Sequence, residues 1–524
     1  MTPNTATDLT DAPKIQPPST AGMTTKVVKG SLWTLAGQIA PMAFSLIATP
    51  FVIRMLGSEA YGVLILVGLI PSYFTFADLG MTYASTKFAA DAYSEGDLEE
   101  EARTIRTAAL ITLLSASAVM MIVALFSYPF ARFFSVPDHL LSEASLALKF
   151  TSVAFVATAL GGILNTPQVV RLRMDLNTLI GFVPRTLGII ATPFVIYFGG
   201  GVSGAAAVLM IASILSLAGH IYFSNKLLPT FSGFSISREA FRPLIRFGGA
   251  LAFSSIASLL LINAEKGILA QTVSVQGLAY YNVAFTLATM MTLFSVAMSQ
   301  SLIPAFSQLQ SESNKEQLNA LYSRGIRMVL IVVIPMLVLT SLVAKPFFTR
   351  WAGEEFGQSS SVPFYILASG LLINSIAHFP GAAILGAGRS DVYAKLYWIE
   401  LFPYLLLVWF LASQFGIVGA AMAWSIRVII DGILHFVLAK RVAGVAVLRR
   451  EFTSFIVPIL IMAFPFIMNL YLQEINAPVG GLTLLCLGVY AVLIYTRVLR
   501  PDEILWFGNR LKGLAGLGGS ITKL

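Results

Sequence analysis

Side chains able to bind or move charge stand inside long apolar runs of this chain: Asp78, Arg185, Glu265, Lys266, His378, Glu400, Arg427 and Asp431. At bilayer depth an ionisable group costs at least ~2.5–3.5 kcal/mol, so it faces a cavity or a partner. Asp78 ends one run. As a cavity carboxylate it would couple to an ion or contact sugar hydroxyls. As a structural acceptor it would hold backbone or Ser/Thr groups, with Lys87 as a further partner. Glu265 and Lys266 are neighbours, so on a helix they point about 100° apart and cannot share one target. A cavity-facing Lys266 is a point charge suited to a diphosphate; the alternative is that both snorkel to the outer interface. Arg185 offers a planar fork that fits phosphate, against snorkelling to inner headgroups. Arg427 and Asp431, four residues apart, share a helix face and can pair, and Arg427 could still change partner. Glu400 could answer Arg185. His378 could carry a proton, but no second His or carboxylate three or four residues away completes a metal site, so no metal is expected.

The elements that hold these groups must cross a membrane. Of 524 residues, 56% are hydrophobic and only 11% charged, against about 25% charged in soluble domains. Apolar runs near or above the roughly 20 residues of a spanning helix fall at 30–53, 60–86, 105–127, 145–166, 178–198, 203–224, 247–270, 278–304, 327–347, 361–387, 395–413, 417–439, 454–473 and 480–497. That predicts an all-α polytopic membrane protein with about 14 transmembrane helices. Pro41 and Pro50 lie in the first span; each removes a backbone bond and favours a kink, which makes them candidate gate residues.

The net charge of +8 would fit nucleic acid in a soluble protein. Here Lys and Arg gather in alternate connections, as the positive-inside rule requires. Nucleic acid is therefore not expected as a partner, and both termini are placed on the cytoplasmic side of the cell inner membrane. Residues 1–25 are polar, lack an apolar signal region and read as a disordered cytoplasmic tail. The single cysteine, Cys486, sits in an apolar run and supports neither a disulfide nor a cysteine metal cluster.

The chain repeats itself. Gly201-Val202-Ser203-Gly204-Ala205-Ala206 matches Gly416-Ile417-Val418-Gly419-Ala420-Ala421, and the same register pairs His220 with His435, both read as interfacial. Arg173-Met174-Asp175 resembles Arg389-Ser390-Asp391, and Gly57…Tyr61 resembles Gly277…Tyr281. A six-span unit returns to the side where it began, so the repeats share one orientation. The expected division is an N-lobe over 26–235 and a C-lobe over 236–445, pseudo-symmetric around a central cavity. Two extra helices follow over 446–500, and a cytoplasmic tail over 501–524.

The pattern Ser31-Leu32-Trp33…Gly37-Gln38, then Arg54-x-Leu56-Gly57-x-Glu59-x-Tyr61-Gly62, then Asp78-Leu79-Gly80 resembles the polysaccharide-transporter (Wzx-type) branch of the multidrug/oligosaccharidyl-lipid/polysaccharide flippase superfamily. The Gly-x-x-Gly-Ala-Ala starts are similar to that branch too, and the resemblance covers about 26–500. It implies a flippase for undecaprenyl-diphosphate-linked oligosaccharide in surface polysaccharide biosynthesis, working by alternating access. It also implies membrane lipids, a polysaccharide polymerase and a chain-length regulator as partners. The Ser-Arg-x-Leu-Gly signature of the lipid II flippase branch is absent, which ranks that branch lower.

Catalytic motifs are absent. No Gly-x-x-x-x-Gly-Lys-Ser/Thr loop is present, so no built-in ATPase, no cofactor and no enzyme activity are expected. The acidic run 95–101 reads as a solvated inner loop at a helix start. A cation-coupled drug or metabolite exporter on the same architecture is the competing reading; it would favour a carboxylate-dominated cavity with Asp78 essential.

Overall fold

The computed structural model describes residues 20–499, except 233–235, 237, 311–313, 447–448 and 473–476. The expected tails therefore lie outside the described residues, save that the first helix already begins at Thr20. Among the described residues the chain is helical, without strands. In apolar surroundings each backbone N–H and C=O must be satisfied within its own segment, and helices do this.

The helices are α1 (Thr20–Ser72), α2 (Met81–Glu95), α3 (Leu98–Leu125), α4 (Ser127–Phe133), α5 (Leu141–Leu164), α6 (Thr166–Val170), α7 (Met174–Tyr197) and α8 (Gly201–Leu227). They continue as α9 (Arg238–Thr272), α10 (Val275–Met290), α11 (Leu293–Gln308), α12 (Lys315–Ala352), α13 (Glu354–Gly386), α14 (Ser390–Val442), α15 (Arg449–Leu472) and α16 (Ala477–Leu493). Among the described residues, 10 stretches are long and apolar enough to cross a membrane, or up to 11 if the bent pair α10 and α11 counts as one span. Two long helices contain a joint. Gly57 in α1 has φ 79 and ψ 167, and Gly416 in α14 has φ 57 and ψ −135. Residues with a Cβ avoid such conformations, so glycine is needed at both.

Three expectations about the spans change. Pro41 and Pro50 lie within α1, yet the non-helical residue there is Gly57. The apolar run 60–86 is not one helix: it ends at Ser72, turns through a short 3₁₀ segment at Thr75–Asp78 and restarts at Met81. Leu79 (φ 52) and Gly80 (φ 69) are both left-handed, which stops the helix there. A Cβ on Gly80 would also run into the Gly248 carbonyl. The run 278–304 bends by 47° between α10 and α11. Thr289 donates to the Phe285 carbonyl at 2.8 Å and Thr292 to that of Thr289 at 2.7 Å, a local competition that bends helices.

By internal packing the chain forms two units. The first takes the chain up to Leu56, then Val67–Arg132 and Pro137–Ile256. Its core gathers Met81, Ala84, Ile105, Ala108, Ile163 and Leu244. The acidic run is not uniformly solvated. Glu101 is fully buried and takes both forks of Arg171, one at 3.0 Å, while the guanidinium lies 4.6 Å from the Tyr93 ring centre. His220 is buried rather than interfacial, with Nδ1 3.2 Å from Gln168 Oε1.

The second unit takes Gly57–Leu66, Phe133–Val136 and the chain from Ala257 onward. Ala257, Leu261, Ala264, Leu401, Tyr404 and Ala423 form a core between α9 and α14. Helices α13 and α14 approach closely where a Cβ on Gly370 would meet Ser425 and one on Gly432 would meet Ile373. Small residues at helix crossings serve that purpose in membranes.

The repeated turns fold alike. Arg173 Nε bonds Asp175 at 3.0 Å, and Arg389 Nε bonds Asp391 at 2.9 Å. These hydrogen bonds hold both guanidinium groups above their ordinary pKa. The Gly57 and Gly277 corners do not: Gly277 is helical, and its N–H is capped by the Ser274 hydroxyl at 2.9 Å.

Arg171→Ala would strand the buried Glu101 carboxylate. The expected loss is about 3–5 kcal/mol, read as a lowered melting temperature of the purified protein in detergent. An unchanged melting temperature would show that solvent screens the pair.

Candidate functional site

The second unit holds a chain of buried polar groups among its membrane-length helices. It starts on α9, where Glu265 is fully buried and accepts the Tyr404 hydroxyl at 3.0 Å through Oε2. The other oxygen, Oε1, is buried with no hydrogen-bond partner among the described residues. Lys266, next in sequence, turns elsewhere: Nζ bonds Asn263 Oδ1 at 3.3 Å and lies 4.5 Å from the Phe285 ring centre. The two side chains therefore take different partners, as their 100° separation requires. Lys266 meets a hydrogen-bond acceptor and an aromatic face, an arrangement that offsets part of its desolvation.

Aromatic rings connect the next groups. Phe285 stacks on Tyr281 at 5.8 Å and meets Trp424 edge-on at 5.5 Å. The Tyr281 hydroxyl is buried without a hydrogen-bond partner among the described residues. Tyr404 also faces Arg427, whose guanidinium carbon is 5.2 Å from the ring centre.

On α14 the pairing differs from the helical-spacing expectation. Arg427 comes to 3.9 Å from Glu400, not to Asp431. Asp431 instead sets Oδ1 3.0 Å from His435 Nδ1, again at i, i+4. The same nitrogen is 2.9 Å from the Asp431 carbonyl oxygen, and Tyr393 lies 4.8 Å from the imidazole. His435 is thus a buried member of the cluster rather than an interfacial residue. The spacing rule that paired Arg427 with Asp431 applied equally to Asp431 and His435; sequence did not rank them. His378 on α13 faces Asp431 and His435 electrostatically, and its Nε2 is buried without a hydrogen-bond partner among the described residues. Asn263 and Tyr404 went unnoticed, and Tyr281 was read only as a repeat position, because neutral polar groups carry no charge to draw attention.

In the first unit the candidates separate. Asp78 is used by its own turn: Oδ1 accepts the Gly80 N–H at 2.8 Å and Oδ2 accepts the Thr82 hydroxyl at 3.1 Å. That is the structural-acceptor arrangement. Lys87 lies 4.6 and 4.9 Å from the Phe247 and Phe88 ring centres. Arg185 is exposed on α7, with no hydrogen bond or ion pair among the described residues. Pro41 is buried and Pro50 half-buried.

No group of three or more His, Cys, Asp or Glu among the described residues could hold a metal ion. Chemically, the cluster offers fixed positive charge at Lys266 and Arg427, aromatic faces, and unsatisfied polar atoms.

Residues 27–310 match the family model described as polysaccharide biosynthesis protein. The chain belongs to that family. The resemblance read from the Trp33, Gly57 and Asp78 motifs is borne out at that level. Over 428 residues this family member is 23% identical to a Shigella flexneri protein named as an O-antigen transporter, covering 80% of the chain and 99% of that protein. Its fold is similar to that of the lipid II flippase MurJ in an inward closed conformation, with TM-score 0.71 and 14% identity, covering 90% of this chain and 100% of that one. It is also similar to an inward-facing multidrug resistance MATE family transporter of the MOP superfamily, with TM-score 0.64 and 14% identity, covering 77% of this chain and 94% of that one.

For this family member, Tyr404→Phe removes the bond shown to Glu265 and keeps the ring against Arg427. The expected loss is about 1–3 kcal/mol, seen as earlier thermal unfolding. Tyr404→Phe with wild-type stability would mean that Glu265 finds another donor.

Proposed function

We propose that the protein is a flippase. It translocates undecaprenyl-diphosphate-linked oligosaccharide across the cytoplasmic membrane by alternating access, for surface polysaccharide such as exopolysaccharide, O-antigen or capsule. The observation that carries this reading is the family match over 27–310, supported by the likeness, over 80% of this chain, to the Shigella flexneri protein named as an O-antigen transporter. The chemistry is compatible. A diphosphate needs fixed cations, and Lys266 and Arg427 are such groups in the second unit, Arg185 in the first. Arg185 is exposed with a fork that no described residue engages, which keeps it beside Lys266 as a candidate diphosphate ligand.

The finer architecture belongs to the same reading. Counting each side of the Gly57 and Gly416 joints separately, counting α10 with α11 as one span and adding α9 leads to fourteen spans, with both termini cytoplasmic in the inner membrane. The Arg-x-Asp turns and the glycine-led starts support a repeat of the first six spans in the next six. A polysaccharide polymerase and a chain-length regulator are the expected functional neighbours.

Deleting the gene should leave undecaprenyl-linked oligosaccharide on the inner leaflet and abolish the surface polymer, and re-expression should restore export. Unaltered lipid-linked sugars in the deletion strain would refute the substrate class. In the complemented strain, Arg185→Ala and Lys266→Ala should each lower export severalfold at normal abundance. Normal export from both variants would remove the diphosphate role.

A further inference from the structure

The start of α9, in the first unit, carries free charge that the flippase reading does not use. Arg242 and Arg246 are four residues apart, so they share a helix face, and both are exposed. Neither makes a hydrogen bond or an ion pair with a described residue. Glu239, three residues before Arg242, is exposed and leaves it unpaired. Both arginines line an open cavity of about 1130 Å³, together with Phe88, Phe241 and Phe247. Small-ligand sites occupy roughly 300–1,000 Å³, so the space holds a lipid headgroup.

Packing on the other face of α9 fixes the walls. Ala240, Leu244 and Phe247 recur at helical spacing and join the core that holds Met81, Ala84 and Ile105. Phe247 meets Phe88 of α2 edge-on at 5.8 Å. Gly80 and Gly248 bring the chain before α2 and that of α9 so close that a Cβ on either would collide with the other segment.

A third cation stands at the cavity edge. Lys87 Nζ lies 4.6 Å from the Phe247 ring centre and 4.9 Å from that of Phe88. Asp91 is four residues on, at a spacing that suits an ion pair, yet the two do not pair. The ammonium rests on the two lining rings instead, held by their π faces.

Position along the chain sets the depth. Lys87 follows the apolar run 60–86, and Arg242 and Arg246 precede the apolar run 247–270. All three therefore stand where apolar segments meet the headgroup layer, on the side that the positive-inside rule makes cytoplasmic. Phe241 is half exposed beside them. A soluble anion would use the charges and gain nothing from the rings, whereas a lipid uses both. Each free arginine fork takes one phosphate bidentately, so two of them one turn apart match two phosphates. Basic pockets between membrane helices on the cytoplasmic side take headgroups of that kind.

We propose that this cavity binds an anionic phospholipid with two phosphates, of the cardiolipin type, taken from the surrounding leaflet. Arg242 and Arg246 hold the phosphates, Lys87 adds charge at the edge, and Phe88, Phe241 and Phe247 receive the first part of the acyl chains.

The test measures lipid binding rather than transport, so its failure is distinct from failure of the flippase reading. Full-length protein is delipidated in detergent and titrated with cardiolipin, phosphatidylglycerol or undecaprenyl diphosphate, and native mass spectrometry counts the lipids retained. Wild type should retain one cardiolipin severalfold more tightly than phosphatidylglycerol, and undecaprenyl diphosphate should not displace it. Arg242→Gln combined with Arg246→Gln should lose the tight cardiolipin, and Lys87→Gln should weaken it severalfold. Lys395→Gln, at an exposed lysine of the second unit, should leave it intact. Circular dichroism checks that each variant keeps its helices, and the comparison of lipids on wild type needs no variant. Equal retention by the double variant, equal loss in Lys395→Gln, phosphatidylglycerol held as tightly as cardiolipin, or displacement by undecaprenyl diphosphate would each overturn the proposal.

Discussion

A charge taken out of water must bring its partner with it. That constraint organises both units. Glu101 is fully buried only because Arg171 presents both forks to it and in turn lies against Tyr93. Asp78 has its two oxygens occupied by Gly80 and Thr82. Glu265 has Tyr404, Lys266 has Asn263 and the Phe285 face, and Asp431 has His435. The helices bring apolar surface for lipid, and these local arrangements decide how the helices meet. The cost of leaving one member alone in low dielectric is several kcal/mol, which makes each pair a strict condition on neighbouring segments.

The two units solve the problem differently. In the first, the buried Glu101 is held in a bidentate pair near helix ends, and the half-buried Asp78 in a self-satisfied turn. In the second, it extends through α9, α13 and α14 as a connected set with several buried atoms left over. Stability alone would favour apolar replacements at such places. A cluster that keeps carboxyl groups, imidazoles and a guanidinium together in an apolar setting is the part of this molecule where chemistry, rather than packing, dictates residue type.

Much of the fold was legible because membrane spans are written in composition: apolar length and the placement of Lys and Arg are independent of tertiary detail. The motif around Gly57 and Asp78 was sufficient for the family. The two Arg-x-Asp tripeptides were readable as a repeat, and their ion pairs emerged only in the fold. What failed to read out was pairing. Helical spacing offered Arg427 to Asp431, but the guanidinium lies nearer Glu400 on the preceding part of α14. It presented Lys87 to Asp78, but the ammonium found two aromatic rings. Glu101 looked like one more solvated acid because its partner is 70 residues away. Prolines suggested bends in α1, while the observed joint is Gly57, inside the break between the apolar runs 30–53 and 60–86. Local signals fix which segments are helices; the choice among alternative partners is made in three dimensions.

The separation of Glu101 from Arg171 has a consequence for biosynthesis. Ribosomes deliver about 5–20 residues per second, so 70 residues correspond to a wait of about 4 to 14 seconds. During that interval α3 exists and its carboxylate has no guanidinium. The beginning of α3 must then stay in the hydrated headgroup layer, and only the arrival of the α6–α7 turn lets it settle to its final depth. The nascent first unit is therefore held open by an unmet charge until one further span has been made, and the completed ion pair marks the moment at which the newly inserted helices close up.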